Sequence, residues 1–463
     1  MKYVSTRGDA PVLDFGEALL TGLAIDGGLY VPTELPRFTD EQLRGWRDRP
    51  YAEVATGVLA DLVAPAIERD ELAELVSAAY AGFDDPDIVP LRPLGDGEWL
   101  LELFHGPTLS FKDVALQLVG VLFERQLART GRTVTIVGAT SGDTGSAAIE
   151  AMRDREGIEL VMLHPSGRVS EIQRLQMTTV DAPNITNVAV EGTFDDCQDL
   201  VKALFADRAL RDEVGLAAVN SINIARVLAQ SVYYVTSALA LGAPERRVAY
   251  TVPTGNFGNV YSGHLARERG LPLERFTVAT NRNDILARFL LDGEMRIEAV
   301  EPSLSPAMDI QVSSNFERLL WEVLGRDGAA VAEALVEFRR TGRLPVDGAV
   351  VEAVRVGFGG GRRSDEQILA TIAEVHDAHG VVVDPHTAVG IGVGRAVERD
   401  PDVAHVMLAC AHPAKFGAAV ERAVGRPPEL PPRLADLADR PERYLTVDDD
   451  LDTVRDIVRR QST

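Results

Sequence analysis

Cysteine and long apolar runs are scarce in this chain of 463 residues. Two cysteines, Cys197 and Cys410, cannot build a disulfide framework, which favours a reducing compartment such as the cytoplasm. No apolar run reaches the roughly 18 residues that a membrane helix needs. The segment at 1–7 lacks the apolar stretch of a signal peptide. We therefore expect a cytoplasmic protein without a membrane partner.

Lysine is also rare, since arginine supplies most of the 47 basic residues. A lysine amine can lose its proton and attack a carbonyl group, whereas an arginine guanidinium cannot. If the chain forms a Schiff base with a cofactor, only four residues can carry it. They are Lys2, Lys112, Lys202 and Lys415.

The formal net charge is −23, which argues against nucleic acid or an anionic membrane as a main partner. A local pocket can still be positive on an acidic protein, so a small anionic substrate stays open. The length and the 46% of hydrophobic residues suggest a large core divided among two to four domains.

The pattern along the chain changes near residue 96. Residues 1–95 indicate helices and loops, with a helix that begins after Thr39. Strand-like runs that end in Gly/Ser/Thr loops and lead into helices follow, which is typical of an α/β protein with largely parallel sheets. We therefore predict an N-terminal domain over 1–95 and two α/β segments, over 96–230 and 231–463.

Two of these loops have the composition of anion sites. The segment at 254–259, Thr-Gly-Asn-Phe-Gly-Asn, lies between a predicted strand and helix, where backbone N–H groups can surround a phosphate. The segment at 140–145, Thr-Ser-Gly-Asp-Thr-Gly, precedes a second helix and could hold a carboxylate. Each is also consistent with an ordinary turn, but together they suggest a phosphorylated cofactor and a carboxylate substrate.

Lys112 lies between Phe111 and an apolar helix start at 114–116. Partial burial would favour its neutral amine, although a lysine whose stem covers the surface is the ordinary alternative. Further along, Asn220, Asn223 and Arg226 would share one face of a helix at spacings of three. Such a face suits a second phosphate, and a solvated helix face is the alternative.

In combination these segments resemble the threonine synthase family of pyridoxal-phosphate (PLP) enzymes, in PLP fold type II. The resemblance implies an α/β fold like that of the tryptophan synthase β subunit, with two parallel or mixed-sheet domains. A mainly helical N-terminal domain would mark the long form of the family. Further matching segments are those at 5–8, 22–32, 101–108, 110–113, 304–310, 384–389 and 412–416.

The resemblance implies conversion of O-phospho-L-homoserine and water to L-threonine and phosphate, by γ-elimination and β-addition. It implies PLP as cofactor, no metal centre, a small-molecule substrate, and a monomer or homodimer. Lys112 would carry PLP as a Schiff base, with cofactor contacts from Phe111, Asp143, Gly255, Asn256, Phe257, Gly258, Asn259 and Cys410. Substrate contacts would come from Thr140, Ser141, Thr144, Asn220, Ser221 and Arg226.

Cys410 departs from the family, which usually has threonine there, with its hydroxyl at the pyridine nitrogen. A thiol is a weaker hydrogen-bonding group, and we expect the substitution to be tolerated. A plain buried core cysteine is the alternative interpretation.

Three other functions stay open at this stage. A related PLP enzyme could perform another β,γ-replacement or elimination on a phosphorylated or phosphonate amino acid. A simple dehydratase has no need of the Asn-Ser-Ile-Asn-x-x-Arg segment at 220–226, and an intact Lys112 argues against a non-catalytic binding paralogue.

Overall fold

The computed structural model describes residues 1–218 and 220–462, and no helix within them is long and apolar enough to cross a membrane. A small antiparallel sheet and several helices form the N-terminal region. Thr39 caps a helix as predicted, because its hydroxyl accepts from the Gln42 N–H while the Gln42 side chain accepts from the Thr39 N–H. The elements are β1 (Lys2–Ser5), β2 (Leu13–Asp14), α1 (Phe15–Thr21), β3 (Tyr30–Pro32), α2 (Asp40–Trp46), α3 (Tyr51–Val63) and α4 (Arg69–Tyr80).

Strands and helices alternate through most of the remaining chain. The strands are β4 (Leu91–Gly95), β5 (Glu98–Glu102), β6 (Val134–Ala139), β7 (Ile158–Pro165), β8 (Ile185–Glu191), β9 (Leu216–Ala217), β10 (Val248–Pro253), β11 (Leu273–Thr280), β12 (Phe358–Arg362), β13 (Ala404–Ala409) and β14 (Leu445–Asp448). The helices are α5 (Lys112–Thr130), α6 (Asp143–Met152), α7 (Glu171–Thr178), α8 (Phe194–Ala206), α9 (Arg208–Val214), α10 (Ile224–Ala240), α11 (Gly258–Glu268), α12 (Ile285–Asp292), α13 (Phe316–Val323), α14 (Gly328–Thr341), α15 (Gly348–Arg355), α16 (Asp365–His379), α17 (Pro385–Ala396), α18 (Gly417–Val424) and α19 (Leu451–Gln461). Short 3-10 turns span Pro306–Met308, Pro413–Phe416, Pro432–Leu434 and Leu437–Asp439.

Two larger sheets organise these strands. One has the order β12-β11-β10-β13-β5-β4, parallel except for β4, and the other has the all-parallel order β14-β8-β7-β6-β9. The predicted α/β class with parallel and mixed sheets is confirmed.

Each large sheet combines strands from distant parts of the chain. In the six-stranded sheet β5 pairs with β13, and in the five-stranded sheet β14 pairs with β8. The sheet boundaries therefore do not coincide with residues 96 and 230, and the three-part division of the chain stays a prediction.

Helix α10 lies at the centre of the molecule. It is buried along almost its whole length and packs against α3, α5 and α11, so it joins the N-terminal region to both α/β parts. This position explains why α10 is rich in apolar residues, which cover internal surfaces. The carboxyl ends of β6, β10 and β13 carry the polar loops, as expected for ligand sites in α/β sheets.

Candidate active site

Lys112 and Asp143 meet where the two large sheets face each other. Lys112 begins α5, after a strand of one sheet, and Asp143 begins α6, after a strand of the other. Their Nζ and Oδ2 atoms are 3.3 Å apart, and Nζ lies 4.7 Å from the centre of the Phe111 ring. Lys112 is only 6% exposed, so the alternative of a surface lysine is wrong.

A second buried lysine, Lys415, contacts the same carboxylate. Its Nζ lies 3.0 Å from Oδ1 of Asp143 and donates to the Thr108 carbonyl over 2.7 Å. The Gln173 side chain donates to Oδ1 over 2.7 Å. Burial alone would raise the pKa of Asp143, but the charges of Lys415 and Lys112 outweigh it and hold that pKa well below its usual range.

Our sequence interpretation gave no role to Lys415 or Gln173. The one available signal was that Lys415 is among four lysines in the chain. Its distance from Asp143 along the sequence hid the pairing, which depends on how the two sheets come together.

Cys410 follows β13 and is buried beside this group. Its N–H donates to the Thr387 hydroxyl over 2.9 Å, and its carbonyl accepts from the Phe111 N–H over 2.8 Å. Burial raises the pKa of the Cys410 thiol well above its ordinary value, although the Lys112 charge opposes this. The side chain is therefore a neutral S–H group, able to donate weakly.

The loop after β10 is held by its aromatic residue. Phe257 has φ +61° and is buried, with its ring 5.5 Å from that of Phe316 and 5.8 Å from that of Phe358. This side chain anchors the loop in the core, so any contact that Phe257 makes with a ligand comes from its backbone. A Cβ atom added at Gly255 would lie 2.8 Å from the Ala307 carbonyl oxygen, so the loop packs closely on neighbouring backbone.

Asn259, in the first turn of α11, presents an unpaired donor. Its Oδ1 accepts from the Tyr233 hydroxyl over 2.5 Å and from the Tyr234 hydroxyl over 2.8 Å. Its Nδ2 is buried, and no group in the described part of the chain bonds to it. An unsatisfied N–H donor at a helix start, beside closely packed glycines, fits the phosphate of PLP.

Asn315 ties this loop to the segment before α10. Its Nδ2 donates to the Ser221 carbonyl over 3.1 Å and to the Asn256 carbonyl over 3.0 Å. The fully buried Arg318 donates to the Asn315 side chain and, over 2.6 Å, to the Ile222 carbonyl. Sequence reasoning missed both Asn315 and Arg318. The only local signal was the presence of two polar residues three positions apart at the start of α13.

The segment at 220–226 folds differently from our prediction. Helix α10 begins at Ile224, because Asn223 caps it by accepting from the Ala225 N–H over 3.0 Å. Asn220 lies outside the helix, where its Oδ1 accepts from the Ile222 N–H over 3.3 Å. The predicted shared helical face of Asn220, Asn223 and Arg226 is therefore wrong, although Ser221 still lies next to the loop at 255–259, with its carbonyl oxygen 3.5 Å from the position of a Cβ added at Gly258.

Arg226 is the buried cation of this segment, at 4% exposure. No side-chain hydrogen bond or ion pair to it occurs within residues 1–218 and 220–462, and its Nη1 is buried and unbonded. Burial lowers its pKa to about 10, against a smaller opposing effect of Tyr233, so it stays charged at neutral pH. A buried charge without a partner is costly, which indicates a place for an anion.

The loop before α6 is shaped by Thr140. Its buried Oγ1 accepts from the N–H groups of Gly142, over 3.0 Å, and Gly145, over 2.8 Å. Ser141 is exposed and Thr144 is half-buried, so their side chains are open to a ligand. Thr140 thus fixes the loop from within, while its two neighbours are left available.

Comparison with known proteins agrees with this geometry. The family model "Threonine synthase N terminus" matches residues 2–80, and "Pyridoxal-phosphate dependent enzyme" matches residues 88–355. "Threonine synthase, C-terminal" matches residues 387–458. Threonine synthase from Pseudomonas aeruginosa is 51% identical over 459 residues, covering 99% of this chain and 98% of that protein. The chain belongs to the threonine synthase family.

Other members of the threonine synthase family support the same assignment. The Corynebacterium glutamicum threonine synthase is 42% identical, covering 99% of this chain and 98% of that protein. The solved structure of PLP-bound threonine synthase from Brucella melitensis matches with a TM-score of 0.98 at 47% identity, covering 100% of this chain and 99% of that chain. The predicted family, PLP fold type and PLP dependence are confirmed, and the roles of individual residues stay predictions.

Proposed function

We propose that the chain converts O-phospho-L-homoserine and water to L-threonine and phosphate. The family assignment supports threonine formation. The observation that supports a phosphorylated substrate concerns Arg226. This residue is buried and charged and has no anionic partner among the described residues. A cofactor phosphate held by the loop at 255–259 leaves this arginine free for a second phosphate.

The position of the cofactor in this proposal is inferred from Lys112 and from the unpaired hydrogen-bond donor of Asn259. Lys112 would hold PLP covalently, and the backbone of 255–259 with Nδ2 of Asn259 would hold its phosphate. When bound, PLP supplies an electron sink that permits proton removal at Cα and Cβ and loss of the γ-phosphate. Phe111, Asp143 and Cys410 surround the Lys112 end of the site.

We assign proton transfer to the Lys112 amine. Asp143 orients this amine at 3.3 Å, and burial of both residues excludes bulk water from it. A buried amine that can exist both with and without its proton can take a proton from one carbon of the substrate and return it to another.

In this proposal the carboxylate and the phosphate of the substrate bind at separate positions. N–H groups at the start of α6, with Thr140 shaping the loop and Ser141 open to the site, hold the carboxylate. Thr144, Asn220, Ser221 and Arg226 hold the phosphate, where the planar guanidinium matches its geometry and stabilises the departing dianion.

We further propose that the enzyme works in the cytoplasm as a monomer or homodimer. Cys197 and Cys410 are both free and buried, which suits a reducing compartment. Sedimentation or light scattering of the purified protein would measure its oligomeric state.

The decisive assay is incubation of the PLP-loaded protein with O-phospho-L-homoserine, measuring phosphate release and identifying the amino-acid product. We expect L-threonine and phosphate in equal amounts. Phosphate with a different amino-acid or keto-acid product would indicate another elimination or replacement, and the absence of phosphate release would exclude the proposal. L-Homoserine is the matched control, since it lacks the leaving group.

A second measurement tests the lysine. Borohydride reduction should fix PLP on Lys112, and Lys112→Ala should lose both the fixed cofactor and turnover. Because the chain has four lysines, peptide mapping separates the possibilities cleanly. Recovery of the reduced cofactor on Lys202 or Lys415 would overturn the assignment.

A further inference from the structure

One carboxylate lies between two buried lysines. Oδ2 of Asp143 is 3.3 Å from Nζ of Lys112, and Oδ1 is 3.0 Å from Nζ of Lys415. All three residues are less than 9% exposed, so solvent screens these charges little. The group therefore carries one more positive than negative charge when both amines are protonated.

Lys415 is held away from the reaction that we propose for Lys112. It is 1% exposed, the Thr108 carbonyl accepts one of its N–H groups over 2.7 Å, and its Nζ forms an ion pair with Oδ1 of Asp143 at 3.0 Å. This hydrogen bond and this ion pair keep Lys415 beside Asp143, whereas Lys112 would change its bonding on carrying the cofactor.

Several other titratable groups face this cluster. Nε2 of His386 accepts from the Ala307 N–H over 3.2 Å, and Nδ1 lies 2.7 Å from Oδ2 of Asp384. Burial lowers the pKa of His412 to about 4 and raises the pKa of the Cys410 thiol well above its ordinary value. The remaining facing carboxylates are Asp384 and Asp113; Asp384 binds His386, and Asp113 accepts from Thr108 and Ser110.

We propose that Lys415 is a positioning residue that keeps Asp143 paired, so that Lys112 can give up its proton and its charge. This inference rests on the function proposed above. A buried carboxylate whose single cationic partner was Lys112 would hold the proton on that amine. It would also be left as an uncompensated buried charge whenever Lys112 became neutral, which is strongly destabilising. With Lys415 present, Asp143 keeps a partner in every state of Lys112.

The test uses the cofactor-free protein and cyanate, a small reagent that modifies an amine only in its unprotonated form. Labelling at graded pH, mapped by mass spectrometry, compares Lys112 with the exposed Lys202 as an internal standard. In Lys415→Met we expect the pH midpoint of Lys112 labelling to rise by about one unit, which is roughly a tenfold slower rate at fixed pH. Lys415→Arg keeps the charge and should stay close to the wild type.

Two further variants separate the proposed route from a general structural effect. Asp143→Asn removes the carboxylate and leaves Lys415 facing Lys112, so Lys112 should label faster than in the wild type. The double variant Lys415→Met with Asp143→Asn should bring the midpoint back down from that of Lys415→Met. If Lys415→Met does not fold, Lys415→Gln takes its place, because its amide can still donate to the Thr108 carbonyl while it lacks the charge.

An unchanged midpoint in Lys415→Met, or slower labelling in Asp143→Asn, would overturn the proposal. The cyanate experiment needs no turnover, so it is independent of the assay with O-phospho-L-homoserine. A wild-type protein that makes no threonine would sink the proposed function while leaving the labelling result intact, and the reverse outcome would sink only the role of Lys415.

Discussion

The hydroxyl of Tyr234 donates to Oδ1 of Asn259 over 2.8 Å. The preceding residue, Tyr233, donates to the same oxygen over 2.5 Å. These bonds fix the orientation of the amide, which leaves the Nδ2 group as an unpaired donor. Two tyrosines of α10 thus prepare a residue of α11 to bind the cofactor phosphate in our proposal.

We expect Tyr234→Phe to weaken PLP binding about two- to tenfold, because one orienting hydrogen bond is worth about 0.5–1.5 kcal/mol. Titration of the cofactor-free protein with PLP, followed by absorbance, measures this. Tyr250→Phe is the matched control, since its hydroxyl bonds to Ser237 over 2.7 Å and to the Tyr234 carbonyl over 3.2 Å in the same buried cluster, and not to Asn259. Equal losses in both variants would attribute the effect to core packing.

Gly255→Ala should weaken PLP binding more than Gly258→Ala. Neither glycine has positive φ, so the reason is close packing. The added Cβ at Gly255 would lie 2.8 Å from a backbone oxygen, whereas at Gly258 it would lie 3.2 Å from the Asn315 side chain, which can move. Overpacking costs about 1–3 kcal/mol, roughly a five- to hundredfold loss at Gly255. Gly348→Ala, with open space around it, is the control, and a larger loss at Gly258 would contradict the argument.

Local sequence was sufficient for the parts of the site that lie on single loops. The glycine-rich loops after β6 and β10 and the position of Lys112 at a helix start follow from short-range patterns. The pairing of Asp143 with Lys415 depends on docking of the two sheets, which no local pattern contains. The helical face predicted for Asn220 failed because Asn223 uses its side chain as a cap, a competition that spacing alone does not reveal.

The fold, like the site, was predictable from the sequence only in part. Alternating strands and helices indicated parallel sheets, and the structure confirms them. The return of β14 to pair with β8 was not predictable, since Leu445–Asp448 is a short, mostly exposed strand with no strong periodicity. Such pairing is decided by tertiary packing of α19 against α8.

Asp113 should make stability depend on pH. Burial raises its pKa to about 6, against smaller opposing effects of Thr108 and Lys415, from about 3.9 in an unfolded chain. The folded protein therefore binds this proton more tightly, so its contribution is complete below pH 4 and is lost as the pH rises through 6.

Denaturant unfolding at pH 4, 5, 6 and 7 checks this expectation. The free energy of unfolding of the wild type relative to Asp113→Asn should fall by about 2–3 kcal/mol across that range. The exposed Asp402→Asn serves as the control and should show no such trend relative to the wild type. Parallel curves for the wild type and Asp113→Asn would show that Asp113 does not titrate in this window.

Arg226→Met should separate binding from stability. An unpaired buried charge destabilises the ligand-free protein, so replacing it with an apolar side chain of similar length should leave the melting temperature unchanged or higher. Affinity for O-phospho-L-homoserine should fall roughly ten- to hundredfold, since a charge-assisted contact is worth about 1.5–3 kcal/mol. Affinity for L-threonine, which has no phosphate, should change much less.

The competing view is that Arg226 supports the fold through its contacts in α10. It predicts the opposite pattern in Arg226→Met: a lower melting temperature and equal weakening of both ligands. Arg226→Lys refines the test, because it keeps the charge but loses the planar fork, and should therefore lie between the wild type and Arg226→Met for the phosphorylated ligand. A variant that melts higher, binds PLP and loses only the phosphorylated substrate would assign the arginine to the substrate phosphate.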